Sequence, residues 1–227
     1  MGHKLKMNSA SNNNQDSLGI IILAGGKSSR MKSNKVFLDI LGEPLIKRVV
    51  GEASKASRKI IVAIGKNDNK DDYTSILPKW VKVIHDKNDK KTPLYGTLAG
   101  LENIKTEYVL LLAADIPFVN SDVIKKIHEE AKGFDMAIPI WENGNIEPLY
   151  AVYNVPTIIN AFKESYKKGE VRIRDAMTNL KNINYVPVEK FKGIDNKLNC
   201  FININNPEDL QHAIEITKLK ETTKNEK

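Results

Sequence analysis

The sequence predicts an α/β fold, a Rossmann-like three-layer α/β/α sandwich with a mostly parallel sheet. Three observations carry this. Apolar residues recur in short continuous runs, as strands buried on both faces require. Segments with helical spacing lie between the runs. The length, 227 residues, suits one large domain with a substantial core rather than two small ones.

The elements follow in chain order. Residues 1–17 are rich in Asn and Ser with almost no apolar content, which predicts a disordered segment. A single domain is expected over 18–219 and a frayed tail over 220–227. Gly19–Ala24 reads as a buried strand. Pro44–Ser57 reads as a helix with Pro in its first turn and Leu45, Val49, Val50 and Ala53 on one face. Lys59–Ile64 and Trp80–His85 are the next strands, Gly96–Ile104 a short helix, and Glu107–Ala113 a very apolar strand. Asn120 or Ser121 caps a helix carrying Val123, Ile124, Ile127 and Ala131. Ala137–Ile140 and Pro148–Tyr153 are strands, then Pro156–Lys168 and Arg172–Leu180 helices. Tyr185–Val188 and Cys200–Ile202 are short strands. Asn206-Pro207-Glu208-Asp209 opens the last helix. Ligands of such sheets sit beyond the carboxyl ends of the strands, so the loops after Leu23, Ile64, His85 and Ala113 should meet.

Composition excludes several classes. No apolar run approaches the ~20 residues that cross a bilayer, and no apolar signal core stands near the N-terminus, so no membrane role is expected. The lone Cys200 can form no internal disulfide, which suits a reducing cytoplasm. The net charge of +7 is spread along the chain without interleaved aromatics, so no nucleic-acid partner is expected. Cys200 and the histidines lack metal-ligand spacing.

The most informative stretch is Leu23-Ala24-Gly25-Gly26-Lys27-Ser28-Ser29-Arg30-Met31, followed by Lys35. Paired glycines let backbone N–H groups approach an anion closely. Arg30 adds a planar fork and Lys27 and Lys35 add point charges. The Walker pattern is excluded, because Ile21 stands where it needs glycine, and the dinucleotide spacing from Gly25 also fails. Asp115, in Ala114-Asp115-Ile116-Pro117, is a carboxylate at the end of an apolar strand and a natural Mg²⁺ ligand beside bound phosphates.

This opening, with Leu41-Gly42-Glu43-Pro44-Leu45, resembles nucleotidyltransferases with a Rossmann-like fold, and the ordered chain looks most like the molybdenum cofactor guanylyltransferases of the MobA type. The resemblance implies transfer of GMP from GTP to the phosphate of the molybdopterin cofactor with release of pyrophosphate. It implies nucleotide contacts from Leu23, Ala24, Gly25, Gly26, Lys27 and Lys35, with Arg30 and Lys35 on the triphosphate and Asp115 on Mg²⁺. Asp86 matches a position near the nucleotide. Thr92-Pro93-Leu94-Tyr95-Gly96 resembles a Gly-Pro-Leu-x-Gly loop around the base, with Thr92 for glycine. Lys32 likewise stands for glycine. Phe201-Ile202-Asn203-Ile204-Asn205 resembles the closing segment, in which Asn203 or Asn205 would be an oxygen ligand to the metal or phosphates, with Asn203 taken as the metal ligand. Glu147-Pro148-Leu149-Tyr150-Ala151-Val152-Tyr153 resembles the Pro-Leu-x-Ala-Leu-Tyr segment, which with Arg172 and Arg174 would meet the acceptor. Contact with molybdopterin-loading proteins or apoenzymes is implied as well. Related readings are transfer from CTP, or to a sugar, lactate or cobinamide phosphate. A non-catalytic nucleotide- or RNA-binding module is a reading of another class, against which Asp115 argues.

Overall fold

A computed structural model describes residues 17–25, 34–86 and 92–225. Segment 1–16 and residues 26–33 and 87–91 therefore lie outside it. Among the described residues, seven strands form one sheet. They are β1 (Leu18–Leu23), β4 (Ile60–Ile64), β5 (Lys82–His85), β6 (Tyr108–Ala113), β7 (Met136–Ile140), β8 (Tyr150–Asn154) and β9 (Ile183–Pro187). Two further strands, β2 (Asp39–Ile40) and β3 (Glu43–Pro44), form a separate hairpin turning at Leu41 and Gly42, both with positive φ. The order is β5-β4-β1-β6-β8-β7-β9. All pairs are parallel except those of β8, which runs against β6 and β7. The mostly parallel sheet expected from the apolar runs is borne out.

Each apolar strand divides its side chains between two cores. Leu18, Ile20 and Ile22 of β1 enter one, and Ile21 enters the other. The first core is covered by α1 (Leu45–Ala53), α2 (Lys70–Thr74), α4 (Ser121–Ala131) and α7 (Pro207–Asn225). The second is covered by α3 (Pro93–Leu101), α5 (Val155–Lys167) and α6 (Ile173–Met177). This two-sided burial explains why strands 5 or 6 residues long lack alternation, with about 1.5–3 kcal/mol gained for each large apolar side chain fully buried.

Several boundaries differ from the sequence expectation. Pro44 lies in β3 and precedes α1, which stops at Ala53, before Ser57. α3 starts at Pro93, whose fixed φ suits a first helical position, so Gly96 lies inside the helix. β8 begins at Tyr150, after Pro148, and β9 ends at Pro187, where a single 3-10 turn takes over. Cys200–Ile202 is not a strand: Asn199–Phe201 forms a 3-10 turn, and the Asp195 carboxylate takes the Cys200 N–H at 2.8 Å. α7 runs from Pro207 to Asn225. The cap itself stands as read, with Asn206 Oδ1 accepting the Asp209 N–H at 2.8 Å and Asp209 Oδ2 accepting the Asn206 N–H at 3.2 Å. Asn120 is the cap of α4, its Oδ1 accepting from Asp122 and Val123.

Candidate active site

The chain leaves β1, β4, β5 and β6 at one sheet edge, as the topology requires. Ala24 N–H donates to Ala63 O at 2.8 Å, Asp86 N–H to Ile64 O at 2.8 Å, and Ala114 N–H to Leu23 O at 3.1 Å. Gly25 enters the signature loop against the chain leaving β4. A Cβ there would lie 2.5 Å from Gly65 N and 2.9 Å from the Ile64 carbonyl carbon, so only glycine fits this approach. Leu23 and Ala24 pass beneath, with Ala24 buried and Leu23 packed on the second core. Gly26, Lys27, Arg30 and Lys32 lie outside the described residues.

Asn34 caps a 3-10 turn, Lys35–Phe37, which Lys35 opens. The Lys35 ammonium donates to Ile204 O at 3.0 Å, and the Ile204 N–H donates to Asp115 O at 2.9 Å. One residue thus bridges the end of the signature loop to the end of β6. Burial pushes the half-buried Asp115 carboxyl above the usual carboxylate range, and the Lys35 charge pulls it back. Asn203 is half-buried immediately before this bridge, whereas Asn205 is exposed and its N–H donates to Asp209 in the α7 cap.

Asp86 is buried at the end of β5. Gly96 packs against Leu23 and Ala63, where a Cβ would meet Leu23 Cδ2 at 3.2 Å, so it lets α3 lie close on the sheet. A network not apparent in the sequence supports this side. Asp68 Oδ2 accepts the Gly65 N–H at 2.8 Å and lies 3.5 Å from the Tyr73 hydroxyl, which accepts from Asn34 Nδ2 at 3.1 Å. Tyr73 is fully buried, with its ring 4.8 Å from that of Phe37. It therefore ties the chain beside Gly25 to the residue before Lys35. An Asx residue soon after an apolar strand hints at such a turn, but nothing local identifies Tyr73 as its partner.

Beyond β6 lies the predicted acceptor segment. Pro148 and Leu149 are half-buried, and Leu149 O accepts the Ala113 N–H at 3.1 Å. Tyr150 corrects the sequence reading: it is 1% exposed, its ring lies edge-on to Phe201, and its hydroxyl bonds the Asn120 backbone. β8 is buried on both faces and Tyr150 packs into the first core, which leaves it no route to a ligand. Arg172 is exposed, and its N–H donates to the Asp175 carboxylate at the start of α6. Trp141, to which the sequence reading gives no role, joins Glu147 here: Trp141 Nε1 donates to Glu147 Oε1 at 2.7 Å. Burial raises the Glu147 carboxyl, against the pull of the Trp141 N–H and the Arg174 charge.

Among the described residues no helix is long and apolar enough to cross a membrane. Residues 20–182 match the MobA-like NTP transferase domain family. A protein of Methanosarcina acetivorans named probable molybdenum cofactor guanylyltransferase is 30% identical over 200 residues, covering 86% of this chain and 88% of its own. Its namesake from Methanosarcina mazei is 29% identical over 205 residues, covering 88% and 91%. In three dimensions the chain is similar to molybdopterin-guanine dinucleotide biosynthesis protein A from Archaeoglobus fulgidus, with a TM-score of 0.74, 27% identity and coverage of 88% and 98%.

Proposed function

The chain belongs to the MobA-like NTP transferase domain family, and from that premise we propose that it is a molybdenum cofactor guanylyltransferase. GTP and the molybdenum cofactor are its substrates. An oxygen of the cofactor's terminal phosphate attacks the α-phosphorus of GTP. A new P–O bond forms, the bond from the α-phosphorus to the α,β-bridging oxygen breaks, and pyrophosphate leaves.

The observation that carries this reading is the bridge at Ile204, which brings Lys35 and Asp115 to the same sheet edge as Gly25. Nucleotidyl transfer needs little covalent chemistry from the protein. It needs positioning and neutralised phosphate charge. Lys35 supplies positive charge to the triphosphate, with Lys27 and Arg30 completing the cradle. Backbone N–H groups of the paired glycines Gly25 and Gly26 bind the phosphate oxygens. Asp86 and the start of α3 border the base.

The donor set fits Mg²⁺. Among the described residues no three His, Cys, Asp or Glu side chains gather into a protein cage. Mg²⁺ commonly takes only one or two carboxylates and completes its shell with phosphate oxygens and water. A half-buried carboxyl whose ionisation burial disfavours gains from a cation beside it. Asp115 would hold the ion, with the Asn203 amide oxygen beside it. Bound there, Mg²⁺ neutralises charge on the phosphates. We place the reaction in the cytoplasm, with contact to proteins that load or receive the cofactor.

Purified protein given Mg²⁺ and molybdopterin or the metal-loaded cofactor should release pyrophosphate from GTP and not from CTP. Release from CTP alone would reassign the base, and release from neither would overturn the enzyme reading. Asp115→Asn should abolish release in a folded protein.

A further inference from the structure

We propose that Glu147, held by Trp141, recognises the 2-amino-4-oxo edge of the acceptor's pterin ring and so selects the acceptor; this rests on the guanylyltransferase reading. The sheet order separates two halves of the edge. The loops that carry the nucleotide reading follow β1, β4 and β5, on one side of β6. Glu147 lies on the other side, in the turn between β7 and β8, beside Pro148 and Leu149.

Several contacts fix it there. The Glu147 N–H donates to Pro139 O at 3.0 Å, and its carbonyl accepts the Tyr150 N–H at 3.1 Å. Trp141 Nε1 holds Oε1 at 2.7 Å. The Trp141 ring is edge-on to Phe201 at 5.7 Å, in the segment that runs on to Ile204 and the Asp115 bridge. The carboxylate is thus coupled to the reaction edge without belonging to it. Among the described residues no other group hydrogen-bonds Oε2.

A pterin offers two adjacent, nearly parallel donors, the ring N3–H and the 2-amino group. A carboxylate presents the complementary fork of acceptors, in the geometry that makes paired hydrogen bonds to an ion both strong and directional. Nearby burial reduces competition from water, which raises the penalty for a ring that lacks either donor. A carboxylate placed against a phosphate would be repulsive, so this residue suits the ring end of the acceptor. The Arg174 charge supplies the neighbouring positive field.

Glu147→Gln tests the proposal, because its amide oxygen can still accept from Trp141 and keep the local fold. With GTP saturating and molybdopterin varied, pyrophosphate release should show a KM for the acceptor raised about tenfold to a hundredfold. The KM for GTP should be unchanged. A second readout uses fluorescence titration with pterin-6-carboxylate and with lumazine-6-carboxylate, whose 2-oxo group replaces the amino donor. The unaltered protein should prefer the pterin and Glu147→Gln should lose the preference. An unchanged acceptor KM, or equal binding of the two rings by the unaltered protein, would overturn the assignment. Should the unaltered protein transfer no GMP, the guanylyltransferase reading falls by itself, and the ring preference still decides the role of Glu147.

Discussion

Replacing Gly25 by alanine adds one methyl group to the tightest point of the site. That methyl would lie 2.5 Å from Gly65 N, 2.9 Å from the Ile64 carbonyl carbon and 3.0 Å from Gly65 Cα. All three are backbone atoms, and Gly65 N is already fixed by the Asp68 carboxylate. No flexible side chain can move aside. Either the signature loop lifts off β4 or the β1–β4 pairing distorts. Overpacking of this kind costs about 1–3 kcal/mol. For a domain of this size that lowers Tm by about 2–12 °C. The nucleotide should suffer more, since a displacement of about 1 Å in a positioning element can cost a hundredfold in rate. Gly51→Ala is the control: it is exposed in the interior of α1, and nothing lies within 4 Å of its Cβ position. It should stabilise by about 0.8–1 kcal/mol through helix propensity. Calorimetry gives both Tm values, and GTP titration of pyrophosphate release gives KM and kcat. A Gly25→Ala protein with unaltered Tm and unaltered GTP kinetics would refute the close-approach argument.

Tyr73→Phe keeps the buried ring and its packing on Phe37 but removes the hydroxyl that accepts from Asn34. It should cost about 1–2 kcal/mol in urea unfolding and raise the KM for GTP several-fold, because Asn34 directly precedes Lys35. Unchanged GTP kinetics would confine the network to stability. Asp115 gives a pH prediction with a definite sign. Its folded pKa is raised, so its contribution to stability is full below the ordinary carboxylate range and is lost as pH rises through the raised value. Asp115→Asn should therefore be more stable than the unaltered protein at neutral pH without Mg²⁺, and the gap should close in acid. Thermal melts across pH would contradict the burial argument if the gap widened in acid.

Much of the fold was legible locally. Runs such as Ile20–Leu23 and Tyr108–Ala113 are apolar on both faces because each face meets its own helix layer. Asn120 and Asn206-Pro207 announce helix starts because caps act within one turn. Cys200–Ile202 misled because an apolar triplet reads equally well as a strand or as a buried turn, and the Asp195 carboxylate that decides it belongs to an irregular segment. The β2–β3 hairpin and α2 are too short to show a period.

By itself, then, the sequence determined the layer architecture and singled out the glycine-rich stretch and the acidic residue after the central strand as candidates, since each depends on neighbours a few positions away. The tertiary structure alone decided that Lys35 and Asp115 share Ile204, that Tyr73 links Asn34 to Asp68, that Tyr150 faces the core, and that Glu147 rests on Trp141. Lys35 and Ile204 are 169 positions apart. Their contact follows from the crossing order of the strands and from which face each residue takes, and neither is written in any local pattern.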